Sequence, residues 1–195
     1  MNAPDFDAIV ARYDLNEHPF YRAWRAGTLP ISKLVAYASE YAPFIDAIED
    51  GWRSLGEHEH AAAEQEHAQL WGRFRDALGP ATESSCPEAQ ALVATTRQAF
   101  GDPVESLGAL YAFECQQPST ARSKLDGLRA HYAVAEEATA YFRTHADDYG
   151  EREHLRCLAA RLTPSDYARA RGACERTCQA MWTALDGIMG TCQAS

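Results

Sequence analysis

The chemistry of this sequence concentrates where acids and imidazoles recur at helical spacing. In Glu57-His58-Glu59-His60-Ala61-Ala62-Ala63-Glu64-Gln65-Glu66-His67, the residues His60, Glu64 and His67 fall at i, i+4 and i+7, which stacks them on one face of a helix. Trp71 and Phe74 continue that face as an apolar side, so it turns at least partly inward. Buried carboxylates and imidazoles need partners or a metal ion. His58 and Glu59 point elsewhere and read as solvated. A second Glu-x-x-His occurs at Glu151-Arg152-Glu153-His154, preceded by His145, Asp147 and Asp148. Between the two lies Glu114 in Leu110-Tyr111-Ala112-Phe113-Glu114-Cys115, a lone acid among apolar residues that asks for a cation. Two Glu-x-x-His elements on separate helices, with an extra Glu from another, match the ligand supply of di-iron or di-manganese carboxylate bundles. Oxygen-rich donors with a few imidazoles suit Fe(II) or Mn(II), whereas structural zinc favours thiolates. Carboxylates also stabilise the higher metal charge reached when O2 is the oxidant.

Other reactive types read more plainly. His18, before Pro19, reads as a helix cap or packing residue, and His131 as a helix-end residue that complements the dipole or is exposed. Cys115 beside Glu114 has no predictable basic neighbour to activate it as a nucleophile. Cys174 and Cys178 share a helical face and read as core. With Cys86, Cys157 and Cys192 they make six cysteines without a C-x-x-C pair, and without an export signal all six are expected to be reduced thiols. Lysine occurs only at Lys33 and Lys124.

The elements that must position these residues are helical. Apolar residues recur every three or four positions, and Gly and Pro sit mainly between such segments. The pattern predicts helices near 4–13, 17–26, 31–54, 58–78, 87–99, 103–117, 119–131, 135–147, 151–161 and 164–190. Asp102 before Pro103, and Thr163 before Pro164, are N-cap signals. No repeat, low-complexity tract or linker divides the chain, so residues 1–195 are expected to form a single all-α domain. The 18 basic against 28 acidic residues give a formal net charge of -10, a poor match to nucleic acid. No apolar stretch is long enough for a membrane span, and the first residues lack a signal peptide. A soluble cytoplasmic protein is the expectation.

Several segments resemble a known group. His18-Pro19-Phe20-Tyr21-Arg22-Ala23-Trp24 with Gly27 and Leu29, then Leu34-Val35-Ala36-Tyr37-Ala38-Ser39-Glu40-Tyr41, resembles the opening of haem-oxygenase-like helical proteins of the TenA and pyrroloquinoline-quinone-synthase group. His67-Ala68-Gln69-Leu70-Trp71-Gly72-Arg73-Phe74 is similar to the metal-ligand helix of one branch, and Phe113-Glu114, Gln117-Pro118, Lys124-Leu125-Asp126-Gly127-Leu128, Tyr132, Trp182 and Leu185-Asp186-Gly187 extend the likeness along nearly the whole chain. The branch it resembles most is the chlamydial-type family associated with p-aminobenzoate formation for folate synthesis, whose members resemble self-sacrificing di-metal oxygenases.

The resemblance implies a haem-oxygenase-like bundle with a di-iron or Fe/Mn centre and O2 as co-substrate, an external reductant, and a possible homodimer. It also implies that a tyrosine of the chain supplies an aromatic ring and a lysine the amino group; Tyr21, Tyr37 and Lys124 occupy those places. The implied ligands are Glu64, His67, Glu114, His145, Asp148, Glu151 and His154. Glu57 remains open as the first carboxylate, because the stretch between Tyr41 and His67 is shorter than the family's. The family's later ligands follow H-x-x-x-D-x-x-H, whereas His154 lies nine residues after His145, on the opposite face of a straight helix. Gly150 is a place for a break that restores convergence; otherwise Asp147, Glu151 and His154 would serve the second metal. Two other readings compete. One keeps the metal and oxidises an external small amine, amino acid or fatty acid; the other is a non-enzymatic helical binding or regulatory protein. Thiamine-related hydrolysis would call for a placed nucleophilic Cys instead of a metal cluster.

Overall fold

Helix signals at the chain's Pro, Gly and Asp positions resolve, in the computed structural model, into eleven α-helices among the described residues, 4–80 and 85–190. They are α1 (Pro4–Arg12), α2 (Pro19–Arg25), α3 (Ile31–Glu40), α4 (Ala42–Ser54), α5 (His58–Leu78), α6 (Pro87–Ala99), α7 (Pro103–Glu114), α8 (Gln117–His131), α9 (Ala140–His145), α10 (Gly150–Ala159) and α11 (Pro164–Gly190). Short 3-10 turns at Leu15–Glu17 and Glu136–Thr139 precede α2 and α9. No strand occurs among the described residues, and none of their helices is long and apolar enough to cross a membrane.

Local chemistry explains most boundaries. Asp102 accepts from the backbone N–H of Val104 and Glu105 at 3.0 and 3.1 Å and starts α7 with Pro103 behind it. Thr163 Oγ1 accepts from Asp166 N at 3.2 Å at the start of α11, and His18 Nδ1 accepts from Phe20 N at 3.0 Å, so His18 is a cap. The predicted helix 31–54 is two helices. Pro43 has no N–H to donate back to Ser39 and its ring crowds that carbonyl, so the apolar pattern runs through a break at Tyr41. The predicted 135–147 helix likewise begins as a 3-10 turn and ends at His145.

The long α11 packs along α7 and α6, α4 lies on α5, and α8 bridges α2 and α9. Gly108 makes the α7–α11 approach possible, since a Cβ there would stand 1.8 Å from the Ala170 carbonyl oxygen. Cys174 and Cys178 are buried in the core, as their shared face predicts. Cys86, Cys115, Cys157, Cys174 and Cys178 are free thiols, and Cys192 lies outside the described residues. Cys115 is half-buried and burial pushes its thiol up to about 11, which removes it as a nucleophile near neutral pH. The two lysines are both buried, with different tasks. Lys33 Nζ donates to the carbonyls of Ile188 and Met189 at 2.9 and 2.5 Å and caps the end of α11; Lys124 lies in the interior beside two tyrosines.

Candidate metal centre

Helices α5, α7, α9 and α10 bring most of the expected ligands together. Glu64, His67 and His145 offer donor atoms within 4.8 Å of one another, as do Glu64, Glu114 and Glu151, and as do Glu57, His60 and His154. The first two groups share Glu64. The third stands beside them through Trp52, whose ring lies on His60 and whose Nε1–H donates to Glu114 Oε1 at 3.3 Å. The face formed by His60, Glu64 and His67 on α5 is therefore the wall of the site. The break after His145 does what the spacing required: α9 ends there, α10 starts at Gly150, and His145 and His154 enter the site from different helices.

Asp148 does not join these groups; its Oδ1 accepts from Gly150 N at 2.9 Å and so caps the start of α10. Asp147 is on the surface, paired with Arg122. Glu57 and Glu64, alternatives in the sequence, both take part, Glu57 in the His60–His154 group and Glu64 in the others. His60 belongs with the ligand candidates although the resemblance did not point to it. Its signal was present in the i, i+4, i+7 spacing.

The donor set fits cations. Glu64 and Glu114 are buried, and no Lys or Arg forms an ion pair with Glu64, Glu114 or Glu151 among the described residues. Burial, and then the charges of Glu151 and Glu64, push the Glu114 carboxyl well above the usual carboxylate range. Burial, and then Glu64, raises Glu151 to about 7. Carboxyls crowded in this way regain their charge when a metal ion neutralises them. The unsatisfied atoms point the same way. Glu114 Oε2, His60 Nδ1, His145 Nε2 and His154 Nε2 are buried without a hydrogen-bond partner, and such groups in a native interior call for an explanation. Glu57 Oε1 lies 3.1 Å from His154 Nε2 and Glu57 Oε2 lies 3.7 Å from His60 Nδ1, a convergence that makes no hydrogen bond.

The imidazoles are set for coordination. His145 Nδ1 donates to the Tyr141 carbonyl at 2.7 Å, which fixes the tautomer and leaves Nε2 bare. Burial, and then His67, lowers its pKa to about 4, so it is neutral at pH 7. For His67, burial pulls the pKa down, but the hydrogen bond from its Nδ1 to Glu64 Oε1 at 3.0 Å and that carboxylate's charge outweigh it and raise the net value.

A second cluster lies deeper, separated from the ligands by aromatic rings. Tyr141 packs on His145 with ring centroids 4.4 Å apart, on Trp71 at 4.9 Å, and Trp71 on Tyr37 at 5.5 Å. The Tyr21 and Tyr37 hydroxyls are 2.8 Å apart, and Lys124 Nζ donates to each at 3.3 Å. All three side chains are buried. Burial alone lowers Lys124 to about 7, while burial, and then the neighbouring tyrosines, raises both phenols well above their ordinary value. Near pH 7 an amine that is about half deprotonated thus faces two neutral phenols. The cavity they line with Tyr141 and Trp71 has a volume of about 10 Å³, on the scale of one water molecule.

Residues 36–187 match the family model of the iron-containing redox enzymes. The chain belongs to that family. As an iron-containing redox enzyme it is an oxidoreductase. It is 31% identical over 219 residues to a 4-aminobenzoate synthase of Nitrosomonas europaea, covering 93% of this chain and 88% of that one. It is 28% identical over 214 residues to a 4-aminobenzoate synthase of Chlamydia muridarum, covering 97% and 91%. Among solved structures, a domain of unknown function with a heme oxygenase-like fold from Shewanella denitrificans superposes with a TM-score of 0.81 at 16% identity, over 97% of this chain and 92% of that one. That likeness carries the fold, which is haem-oxygenase-like as the sequence resemblance implied.

Proposed function

We propose that this redox enzyme makes p-aminobenzoate from its own side chains, with Tyr21 or Tyr37 giving the ring and Lys124 the amino nitrogen. The carrying observation is the placement of Lys124 Nζ, 3.3 Å from both phenol oxygens in a cavity of about 10 Å³. In so small a cavity the amine and the two phenols face one another directly, which supports a reaction between the pocket's own walls. The shared name of the two relatives supports the product.

Excising a tyrosine ring as p-aminobenzoate breaks the Cα–Cβ bond and takes Cβ to the carboxylate level, which requires an oxidant. It also exchanges the phenol C–O bond for a C–N bond, the oxygen leaving as water, and breaks the Lys124 Cε–Nζ bond, leaving Cε as an aldehyde. O2 is the oxidant in this reading, with an iron pair or an Fe/Mn pair as cofactor and an external reductant completing the electron count. Glu64, His67 and His145 would hold one ion, Glu57, His60 and His154 the other, with Glu114 and Glu151, grouped with Glu64, as further donors. When bound, the metal pair supplies O2 activation. The protein's part is to lower the Lys124 pKa to about 7 through burial, so that free amine is present near neutral pH, to aim it at the phenols, and to wall the pocket with Trp71 and Tyr141. Lys124 approaches the Tyr21 ring more closely, with Nζ 4.7 Å from its centroid against 5.7 Å for Tyr37.

The test loads the chain anaerobically with Fe(II) and Mn(II), adds O2 and a reductant, and follows small-molecule product and chain mass together. The expected result is at most about one p-aminobenzoate per chain with a mass loss at Tyr21 or Tyr37 and a change at Lys124. Product from Tyr21→Phe, Tyr37→Phe and Lys124→Arg alike would remove the self-sacrifice, and many turnovers with an unmodified chain would move the reaction to an external substrate.

A further inference from the structure

Trp52 touches four of the candidate ligand residues and has no part in the reading above. It lies in the last turn of α4 and is fully buried. Its Nε1–H donates to Glu114 Oε1 at 3.3 Å, which engages one carboxylate oxygen and leaves Oε2 bare. Its ring stacks on His60, with centroids 4.5 Å apart and planes 16° apart. His60 stacks in turn on His154 at 4.9 Å and 18°, and the Trp52 ring is 6.2 Å from His154. The Trp52 carbonyl accepts from Glu57 N at 3.0 Å, closing the turn that leads into α5. No ring contact or hydrogen bond joins Trp52 to Glu64, His67 or His145 among the described residues.

We propose that Trp52, through its ring, is the positioning residue of the metal position formed by Glu57, His60 and His154 and not of the one formed by Glu64, His67 and His145. The inference rests on the two-metal reading above and adds a division of labour within it. An imidazole packed against two neighbouring rings, each within 16–18° of its own plane, is held in that plane, so its ring nitrogens are aimed before an ion arrives. A neutral indole donor also orients Glu114 without bringing the fixed positive charge of an arginine, so an arriving cation does not compete with one already there. Partners of this kind, outside the ligands themselves, are worth about 10- to 100-fold in metal affinity. Glu64, His67 and His145 are oriented instead by one another and by the Tyr141 carbonyl, and they should not depend on Trp52.

The experiment is an anaerobic titration of the full chain with Mn(II), followed by metal analysis and electron paramagnetic resonance, with apo-protein thermal unfolding measured alongside. Trp52→Phe keeps a stacking ring and removes the N–H; Trp52→Leu removes both. The wild type is expected to bind two ions as a coupled pair. Trp52→Phe keeps the ring over His60 and is expected to hold both ions; Trp52→Leu is expected to keep the first affinity and weaken the second by about 10-fold or more, with the coupled signal giving way to that of isolated Mn(II). If the Leu variant does not fold, Trp52→Met, which keeps much of the volume without a ring, decides. A merely structural role would weaken both ions together, in step with a fall in apo stability. That result, or two unchanged affinities in the variant without a ring, overturns the inference. A wild type that binds fewer than two ions ends the two-metal reading and this inference with it, a failure seen without any variant.

Discussion

Lys124 shows how one buried group can carry both a reaction and a stability signature. Burial lowers its pKa to about 7 while the unfolded chain keeps the ordinary lysine value of 10.5. Between those limits the unfolded state binds a proton that the folded state does not, so unfolding takes up a proton and stability rises with pH. The slope approaches about 1.4 kcal/mol per pH unit inside the window. As pH falls toward 7 the advantage is lost, because protonation favours the unfolded chain, where the amine takes up a proton that the aromatic interior refuses. Urea unfolding of the metal-free chain at pH 7.5 and 9 should therefore show a rise that Lys124→Met lacks, and the Met variant should be the more stable of the two at pH 7. Equal pH slopes for the two chains would place the Lys124 proton elsewhere. The same titration predicts that the initial rate of p-aminobenzoate formation climbs through about pH 7, as the nucleophilic free amine becomes the main form.

At the scale of elements, the helices that carry the candidate ligands are held by residues outside those groups. Asp7 on α1 accepts from Tyr111 OH at 2.7 Å, one turn before Glu114 on α7, and from Arg152 and Arg156 of α10 at 3.4 and 3.2 Å. One carboxylate thus staples the helix of Glu114 to the helix of Glu151 and His154. Asp7→Ala leaves a buried phenol and a half-buried guanidinium without their acceptor and should cost about 1–2 kcal/mol in urea unfolding. Arg12→Ala breaks only the exposed pair of α1 with Glu175 on α11 and should change stability by less than about 0.5 kcal/mol. Gly108→Ala pushes a methyl group into the Ala170 carbonyl and should cost about 3 kcal/mol, because backbone on both helices has to move. What the sequence discloses at this scale is what lies within one helix. The i, i+3 and i, i+4 spacings of α5 and α10 expose Glu64, His67, Glu151 and His154, and the caps at Asp102 and Thr163 mark where helices start. Contacts between helices leave no such periodic trace. Nothing in the spacing says that Glu57 meets His154 or that Trp52 meets Glu114. Asp148 and Glu151 are equally plausible acids until the break at Tyr149 turns one outward as a cap and the other inward. The α3–α4 break was hidden for a related reason, since the apolar stripe is needed on both sides of Pro43 and continues through it.

For the whole molecule, the metal-free fold confines Glu64, Glu114 and Glu151 together with no Lys or Arg partner among the described residues, in a chain whose formal net charge is already -10. That arrangement trades stability for a site, and the trade has a measurable sign. A cation that binds the folded chain and not the unfolded one adds about 2.7 kcal/mol at a hundred times its Kd, or about 5–10 °C in Tm for a chain of this size. Anaerobic Fe(II) or Mn(II) should raise Tm on that scale, and a chelator should return it to the starting value. Glu114→Gln separates this effect from ordinary packing. The amide keeps the shape and an oxygen for the Trp52 N–H, but removes one of the crowded acids. If the carboxylates are held together for a cation, the variant should be as stable as the wild type or more so without metal, and should lose most of the metal-induced rise in Tm. If Glu114 were instead a structural acid satisfied by its neighbours, the variant would be less stable without metal and would respond to Fe(II) as the wild type does.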